Sequence, residues 1–194
     1  MFVLHWAPVL VSLLSFSAAA PTTDDCSQLT QLLTANDLHQ ILGKWIFIEG
    51  CSNNEIFDSV FKNTESMWMM LNTTADNQTL VLDQASQLVP QQHQATMQRQ
   101  CLRGSHNVPI VDDKVLELHF AVAHTYHRFL QTCLDCLIMY TYTKENDFQA
   151  LYLFGKNTTL TASDLETFRK QAACLKFPLP AKFHYDTSKE LCPM

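Results

Sequence analysis

Clustered positive charge is missing from this chain. Its 13 Lys and Arg are outnumbered by 19 Asp and Glu, for a formal net charge of −6. Holding phosphates requires grouped Lys and Arg, so nucleic acid is excluded as a partner. Beyond the first twenty residues no apolar run is long enough to cross a bilayer, which excludes an integral membrane protein of the helical kind. Internal repeats, low-complexity tracts and linkers long enough to divide domains are also missing. A zinc site is not written into the spacing either. Cys133-Leu-Asp-Cys136 has no further ligands at suitable intervals, and it lacks the strand-to-helix setting of a thioredoxin-like pair. No metal and no cofactor are expected.

What the chain does have begins with "MFVLHWAPVLVSLLSFSAAA". The apolar run is short of the ~20 residues of a span and closes on Ser17-x-Ala19, the pattern of a secretory signal. Residues 1–19 are expected to be removed near Ala19 or Ala20, leaving residues 20–194 as one domain. The start of the run is atypical in having no Lys or Arg. Sequons at Asn72, Asn77 and Asn157 fit export, each beside turn-forming residues. Seven cysteines in an oxidising compartment form some disulfides, and the odd count leaves at least one unpaired within the chain. The chain is expected to be secreted and extracellular, and to work as a monomer.

Eight short apolar segments separated by polar turns read as strands: "KWIFIEG", "SMWMML", "TLVLDQA", "ATMQRQC", "KVLELHF", "TYHRFLQT", "LIMYTYT" and "QALYLF". "TQLLTANDLHQIL" reads as a short helix before them. "LTASDLETFRKQAACLKFP" reads as an amphipathic helix after them, capped by Ser163 with Glu166 and stopped by Pro178. A ninth strand fits the tail "AKFHYDTSKELC". The fold class is therefore all-β: an eight-stranded antiparallel up-and-down barrel with one C-terminal α-helix packed outside. Such a barrel closes without a free edge and can hold one small ligand inside.

In "GKWIFIEGCSNN", Gly43 permits a tight turn and Trp45 is large enough to plug the tapered end of a barrel. Gly-x-Trp after a helical turn, before eight strands and a late helix, resembles the first signature of the lipocalins. "CLDCLIMYTY" resembles their second, a Thr-Asp-Tyr turn, with Asp135 kept and Cys136 where Tyr is usual. Lys156 matches only loosely the third, a basic residue that packs on the Trp. "GKWIFIEGCSNNEIFDSV", the late helix and "HYDTSKELCP" are most similar to the α1-acid glycoprotein (orosomucoid) branch and to fish plasma proteins that bind tributyltin or saxitoxin.

That resemblance implies disulfides Cys26–Cys174 and Cys101–Cys192, with Cys51, Cys133 and Cys136 left over. Cys133 and Cys136 are expected in a hairpin turn, either as a local disulfide or free. His119, His124 and His127 read as ordinary surface or loop histidines.

Strand alternation puts Phe47, Glu49 and Cys51 on the inner face if Trp45 points inward. The resemblance adds Met67, Met69, Leu71, Leu116, Leu118, Ile138, Tyr140, Tyr142, Leu151 and Leu153. The expected cup is apolar and Met-rich, suited to a small hydrophobic or cationic amphiphilic ligand, a toxin or xenobiotic among them. Glu49, about 13 Å beyond Trp45 toward the mouth, would favour a cation. The alternative function is an acute-phase or immunomodulatory glycoprotein acting through protein contacts. A thiol-dependent isomerase, as in one lipocalin branch, would have only Cys51 as nucleophile with no base beside it, so no enzyme is expected.

Overall fold

The computed structural model describes residues 23–75, 77–89, 101–112, 115–121, 124–145 and 148–194. The expected signal segment lies outside them, as do residues 95–100 of the expected fourth strand. The chain enters through α1 (Thr23–Leu29), a 3₁₀ turn (Ala35–Asp37) and α2 (Leu38–Ile41). The strands are β1 (Gly43–Ser52), β2 (Thr64–Thr73), β3 (Thr79–Leu88), β4 (Cys101–Asp112), β5 (Glu117–Phe120), β6 (Thr125–Leu130), β7 (Cys136–Thr143) and β8 (Gln149–Gly155). Between β1 and β2 lies α3 (Glu55–Lys62), and α4 (Ala162–Cys174) precedes a two-residue β9 (Phe183–His184).

Strands β2 to β8 pair antiparallel in chain order, and β1 closes the sheet by pairing with both β8 and β2. The result is a closed eight-stranded up-and-down barrel, with β9 hydrogen-bonded to β1 where β2 has diverged and α4 outside. Closure pairs every strand's backbone on both sides and leaves no barrel edge to aggregate.

Three expectations about the elements are corrected. The described fourth strand begins at Cys101, where the expected one ends. Its run "CLRGSHNVPIVD" holds Gly104 and Pro109 and lacks the apolar alternation by which a strand is recognised, so only its pairing with β3 reveals it. Helix α3 was not anticipated, although Asn54 caps it, accepting from Ile56 N at 2.8 Å. The late helix is capped by Thr161 and Asp164 rather than Ser163 and Glu166; Thr161 Oγ1 donates to Asp164 Oδ2 at 2.6 Å.

Cross-strand partners share a face of a sheet, so the register divides the barrel wall into two sides. Trp45 stands opposite Met69, which stands opposite Gln84; Leu118, His127, Thr141, Ala150 and Ser52 form another row; Phe47, Phe154 and Leu137 a third. These rows agree with one another around the barrel. The opposite side meets the segments outside. There Trp68 Nε1 donates to the Cys192 carbonyl at 2.7 Å, Ser66 Oγ to that of Glu190 at 2.8 Å, and Tyr140 packs edge-on against Phe177. The Trp45 side is therefore the inner one.

Three disulfides are present: Cys26–Cys174, Cys101–Cys192 and Cys133–Cys136. The first ties α1 to α4 and the second ties β4 to the tail. Their sequence separations are 148 and 91, and in the chain-entropy account loops of that length stabilise by about 5 kcal/mol each. The third closes a separation of 3, for about 2 kcal/mol. Asn72, Asn77 and Asn157 are all exposed.

Candidate ligand cup

One end of the barrel is sealed. Trp45 is buried there, its Nε1 donating to the Ile41 carbonyl at 2.7 Å, which locks α2 across the barrel floor. Lys156 Nζ sits 3.6 Å from the Trp45 ring centroid and donates to the Leu42 carbonyl at 3.0 Å. The match that looked loose in sequence thus makes the full cation–π closure. Burial holds the Lys156 ammonium below the ordinary lysine pKa, opposed by Asp135.

The other end is accessible. Along β2 the inner residues Leu71 and Met69 are buried while Met67 is half-buried; Leu118 gives way likewise to Phe120, Thr141 to Thr143, and Phe154 to Tyr152. Above them α3 lowers Phe61 over the wall, with ring centroids 5.6 Å from Phe47 and 5.2 Å from Tyr152. Gly50 makes this approach possible, since a Cβ there would lie 2.6 Å from Phe47 Cζ. Phe183 of β9 stacks on Phe47 at 4.1 Å. Each such ring removed from water contributes about 1.5–3 kcal/mol.

The register keeps Trp45, Phe47, Met67, Met69, Leu71 and Leu118 together on the inner side, and Leu116, just before β5, is buried. It does not bring the other candidates there. Between Phe47 and Glu49 the β1–β8 pairing slips by one residue, a β-bulge that reverses the alternation. Glu49 and Cys51 consequently face outward, opposite Leu153 and Leu151, and Ile138 and Tyr140 continue those rows on β7. Tyr142, two residues on, also faces out and donates to Glu117 Oε2 at 2.6 Å. For these seven residues the inward assignment is corrected. They form the wall beneath α4 and, toward β5 and β6, an outer aromatic ladder of His119, Tyr126, Tyr142 and Tyr140.

Glu49 shows the consequence. Its side chain is 2% exposed and its Oε1 accepts from Arg169 Nη2 at 2.9 Å, with His184 Nδ1 at 3.0 Å. A buried carboxylate needs such partners, and it finds them on α4 and β9 rather than in a ligand. Cys51, the free cysteine, is buried beside it. Burial first, and then the Glu49 charge, push its thiol up to about 12.

Sequence reasoning missed His127. It lies on the inner side, where Nε2 contacts Thr125 Oγ1 at 3.0 Å and Nδ1 contacts Thr141 Oγ1 at 2.8 Å. Burial, with a smaller effect of His119, lowers its pKa to about 3, so the imidazole is neutral. The spacing Thr125-x-His127 on a strand was the available signal, since it puts both side chains on one face. Thr143 Oγ1, next along that side, is buried without a hydrogen-bond partner among the described residues. No Asp, Glu, Lys or Arg occurs at an inward position of the described strand residues.

Neither a protein-family model nor a curated protein matches the sequence. Solved structures do. Siderocalin Q83, described as revealing a dual ligand binding mode, is similar with a TM-score of 0.62 at 16% identity, over 84% of this chain and 98% of that one. The chain has the lipocalin fold. The siderocalin Ex-FABP, described as functioning through dual ligand specificities, gives a TM-score of 0.57 at 13% identity, over 71% and 88%. The bovine lipocalin allergen Bos d 2 gives 0.53 at 17%, over 73% and 89%. At these identities the likeness concerns the lipocalin fold.

Proposed function

We propose that this lipocalin-fold chain is a secreted carrier that takes a small, uncharged hydrophobic ligand into the barrel, head group toward the mouth. One observation carries the reading: the inner side is sealed at Trp45, lined at depth by apolar residues such as Met69, Leu71 and Leu118, accessible at the far end, and without Asp, Glu, Lys or Arg among the described strand residues, its polar groups being Ser, Thr, Gln and His side chains. A charged ligand would lose its hydration there without a counter-ion. The expected preference for cationic amphiphiles rested on Glu49, which is outside and already paired.

Met67, Met69, Leu71, Leu116, Leu118 and Phe47 are the proposed apolar wall. The head group is proposed to meet the threonines around His127. A neutral imidazole has one N–H and one lone pair, so one of Thr125 and Thr141 accepts from it and the other donates to it. The accepting threonine keeps its own O–H to offer, as does Thr143. This suits a ligand with one hydroxyl or carbonyl head. The dual ligand binding of the two siderocalins fits a carrier in this fold, and the orosomucoid-like branch, export, glycans at Asn72, Asn77 and Asn157, and a monomeric state belong to the same proposal. The isomerase alternative loses its nucleophile, because Cys51 faces α4.

The test is a set of equal-chain ligands, a long-chain alcohol, a carboxylate and an alkylammonium, titrated against the tryptophan fluorescence of the chain. The alcohol is expected to bind about tenfold or more tightly than either ion. If none binds, the carrier reading fails; if the ammonium equals the alcohol, the head-group reading fails. The protein-contact alternative is supported by the outer ladder, where Lys144 Nζ lies 3.9 Å over Tyr126 and the rings stay half-buried. Cross-linking at Tyr126 in the native fluid tests it.

A further inference from the structure

The turn between β6 and β7 holds two sulfurs that the cup does not use. Cys136 N donates to the Cys133 carbonyl at 3.0 Å, closing the turn, and Lys156 N donates to the Asp135 carbonyl at 2.9 Å, docking the exit of β8 on it. Helix α4 begins just beyond, at Ala162, so its first turn comes to lie against the cysteines. Sulfur atoms of Cys133 and Cys136 and a carboxylate oxygen of Asp164 all lie within 4.8 Å of one another. Asp164 is held in place by its cap, in which Oδ2 accepts from Thr161 Oγ1 and from Thr161 N. A carboxylate has a second oxygen to offer.

The disulfide now joining the two sulfurs is the one the fold needs least. It closes a separation of 3, against 148 and 91 for the other two, so it constrains the unfolded chain least. Cys133 is half-buried and the intervening Leu134 is 96% exposed, so a thiol reaches this bond from solvent. An open cavity of about 500 Å³ lined by His39, Thr132, Cys133, Leu134 and Cys136 adjoins it.

We propose that reduction of Cys133–Cys136 by an external thiol converts this cross-link into a chelate for a soft or borderline divalent ion of the zinc or cadmium kind, with Asp164 as third ligand. Two equivalents of the thiol are oxidised to their own disulfide as Cys133 and Cys136 take up the electrons and protons. The ion then displaces the two thiol protons and binds two thiolates and the carboxylate, its fourth position left to water. Tetrahedral ligation at usual Zn–S lengths puts the sulfurs about 3.8 Å apart, so they move out of bonding contact once the disulfide is reduced. The oxidised chain has no thiolate here and does not take the ion. Uptake is thereby gated by redox state and is independent of whether the cup carries a ligand.

The full chain is reduced in steps with glutathione, and thiols are mapped by differential alkylation. Cd²⁺ is then titrated while the thiolate-to-cadmium absorption band is followed. Cys133 and Cys136 are expected to appear first, followed by one bound Cd²⁺ per chain. The band is lost in the Cys133→Ser, Cys136→Ser double variant. Asp164→Asn weakens binding about tenfold or more. Because Asp164→Asn also disturbs the helix cap, Thr161→Ala serves as the control: it removes the hydroxyl contacts of the cap, leaves the backbone N–H at position 161 to hold Asp164 Oδ2, and retains the affinity. Cd²⁺ binding by the oxidised chain, prior reduction of another disulfide, or wild-type affinity in Asp164→Asn each overturns the proposal.

Discussion

Arg169 donates to Glu49 across the interface between α4 and β1, at 2.9 Å, and so fastens the helix to the barrel wall. The same Glu49 oxygen lies 3.0 Å from His184, which brings β9 into the clasp. Removing Arg169 leaves a buried carboxylate with one partner. Arg169→Ala is expected to lower stability by about 1.5–3 kcal/mol, the usual worth of a hydrogen bond to a charged group, read by chemical denaturation. Glu49→Gln should also destabilise, while leaving the relative affinities of cationic and neutral cup ligands unchanged. A selective loss of cationic ligands would return Glu49 to the cup.

That clasp also marks where the sequence stopped being legible. Gly43, Trp45 and the late helix announced the barrel and its closed end, because they depend on local chemistry: a positive φ of 94° at Gly43, a ring large enough to plug a floor. Alternation from Trp45 holds through Phe47 and fails at the bulge before Glu49. A bulge depends on pairing with β8, a hundred residues away in the chain, and leaves no mark in "WIFIEG". Ile138, Tyr140, Tyr142, Leu151 and Leu153 fail for a related reason. An outer wall covered by α4 is as apolar as an inner one, so hydrophobicity cannot tell the two faces apart. His127 was read as an ordinary surface or loop histidine because nothing in its own segment says that two threonines enclose it.

His127 should leave a signature in the pH dependence of stability. Its native pKa of about 3 lies below the ordinary 6.5 that the unfolded chain restores. Below pH 6.5 the unfolded state therefore binds a proton that the native state refuses. Stability falls as pH drops from about 6.5 toward about 3, by at most ~1.4 kcal/mol per unit, while above 6.5 the group contributes nothing. Denaturation curves of His127→Gln should be flatter over that window than those of the wild type. Parallel curves would mean that the imidazole titrates normally.

Cys51 should be chemically silent in the folded chain. It is buried and its thiol is pushed up to about 12, so almost no thiolate forms near neutrality. Iodoacetamide at pH 8 is expected to leave it unmodified in native protein and to label it fully in denaturant. Labelling should follow unfolding, so its rate in the Arg169→Ala variant should rise with the fraction unfolded. Rapid native labelling would place the thiol at the surface, contrary to its position under α4.

Gly50 sets how closely the lid helix approaches the cup. An added Cβ would meet Phe47 Cζ at 2.6 Å and Phe61 Cζ at 3.0 Å. The Phe47 ring cannot retreat easily, since Phe183 stacks on one side at 4.1 Å and Tyr152 and Phe154 lie at 5.3 and 5.5 Å. Phe61, at the end of α3, where Ile56 and Val60 are exposed, yields more readily. Gly50→Ala is therefore expected to cost about 1–3 kcal/mol, as overpacking does, and to displace α3 rather than the barrel wall. Hydrogen exchange resolves the two: amides from Ile56 to Phe61 should exchange faster while those of β7 and β8 keep their protection. Faster exchange in β8 instead would show that the stacked rings, and not the lid, give way.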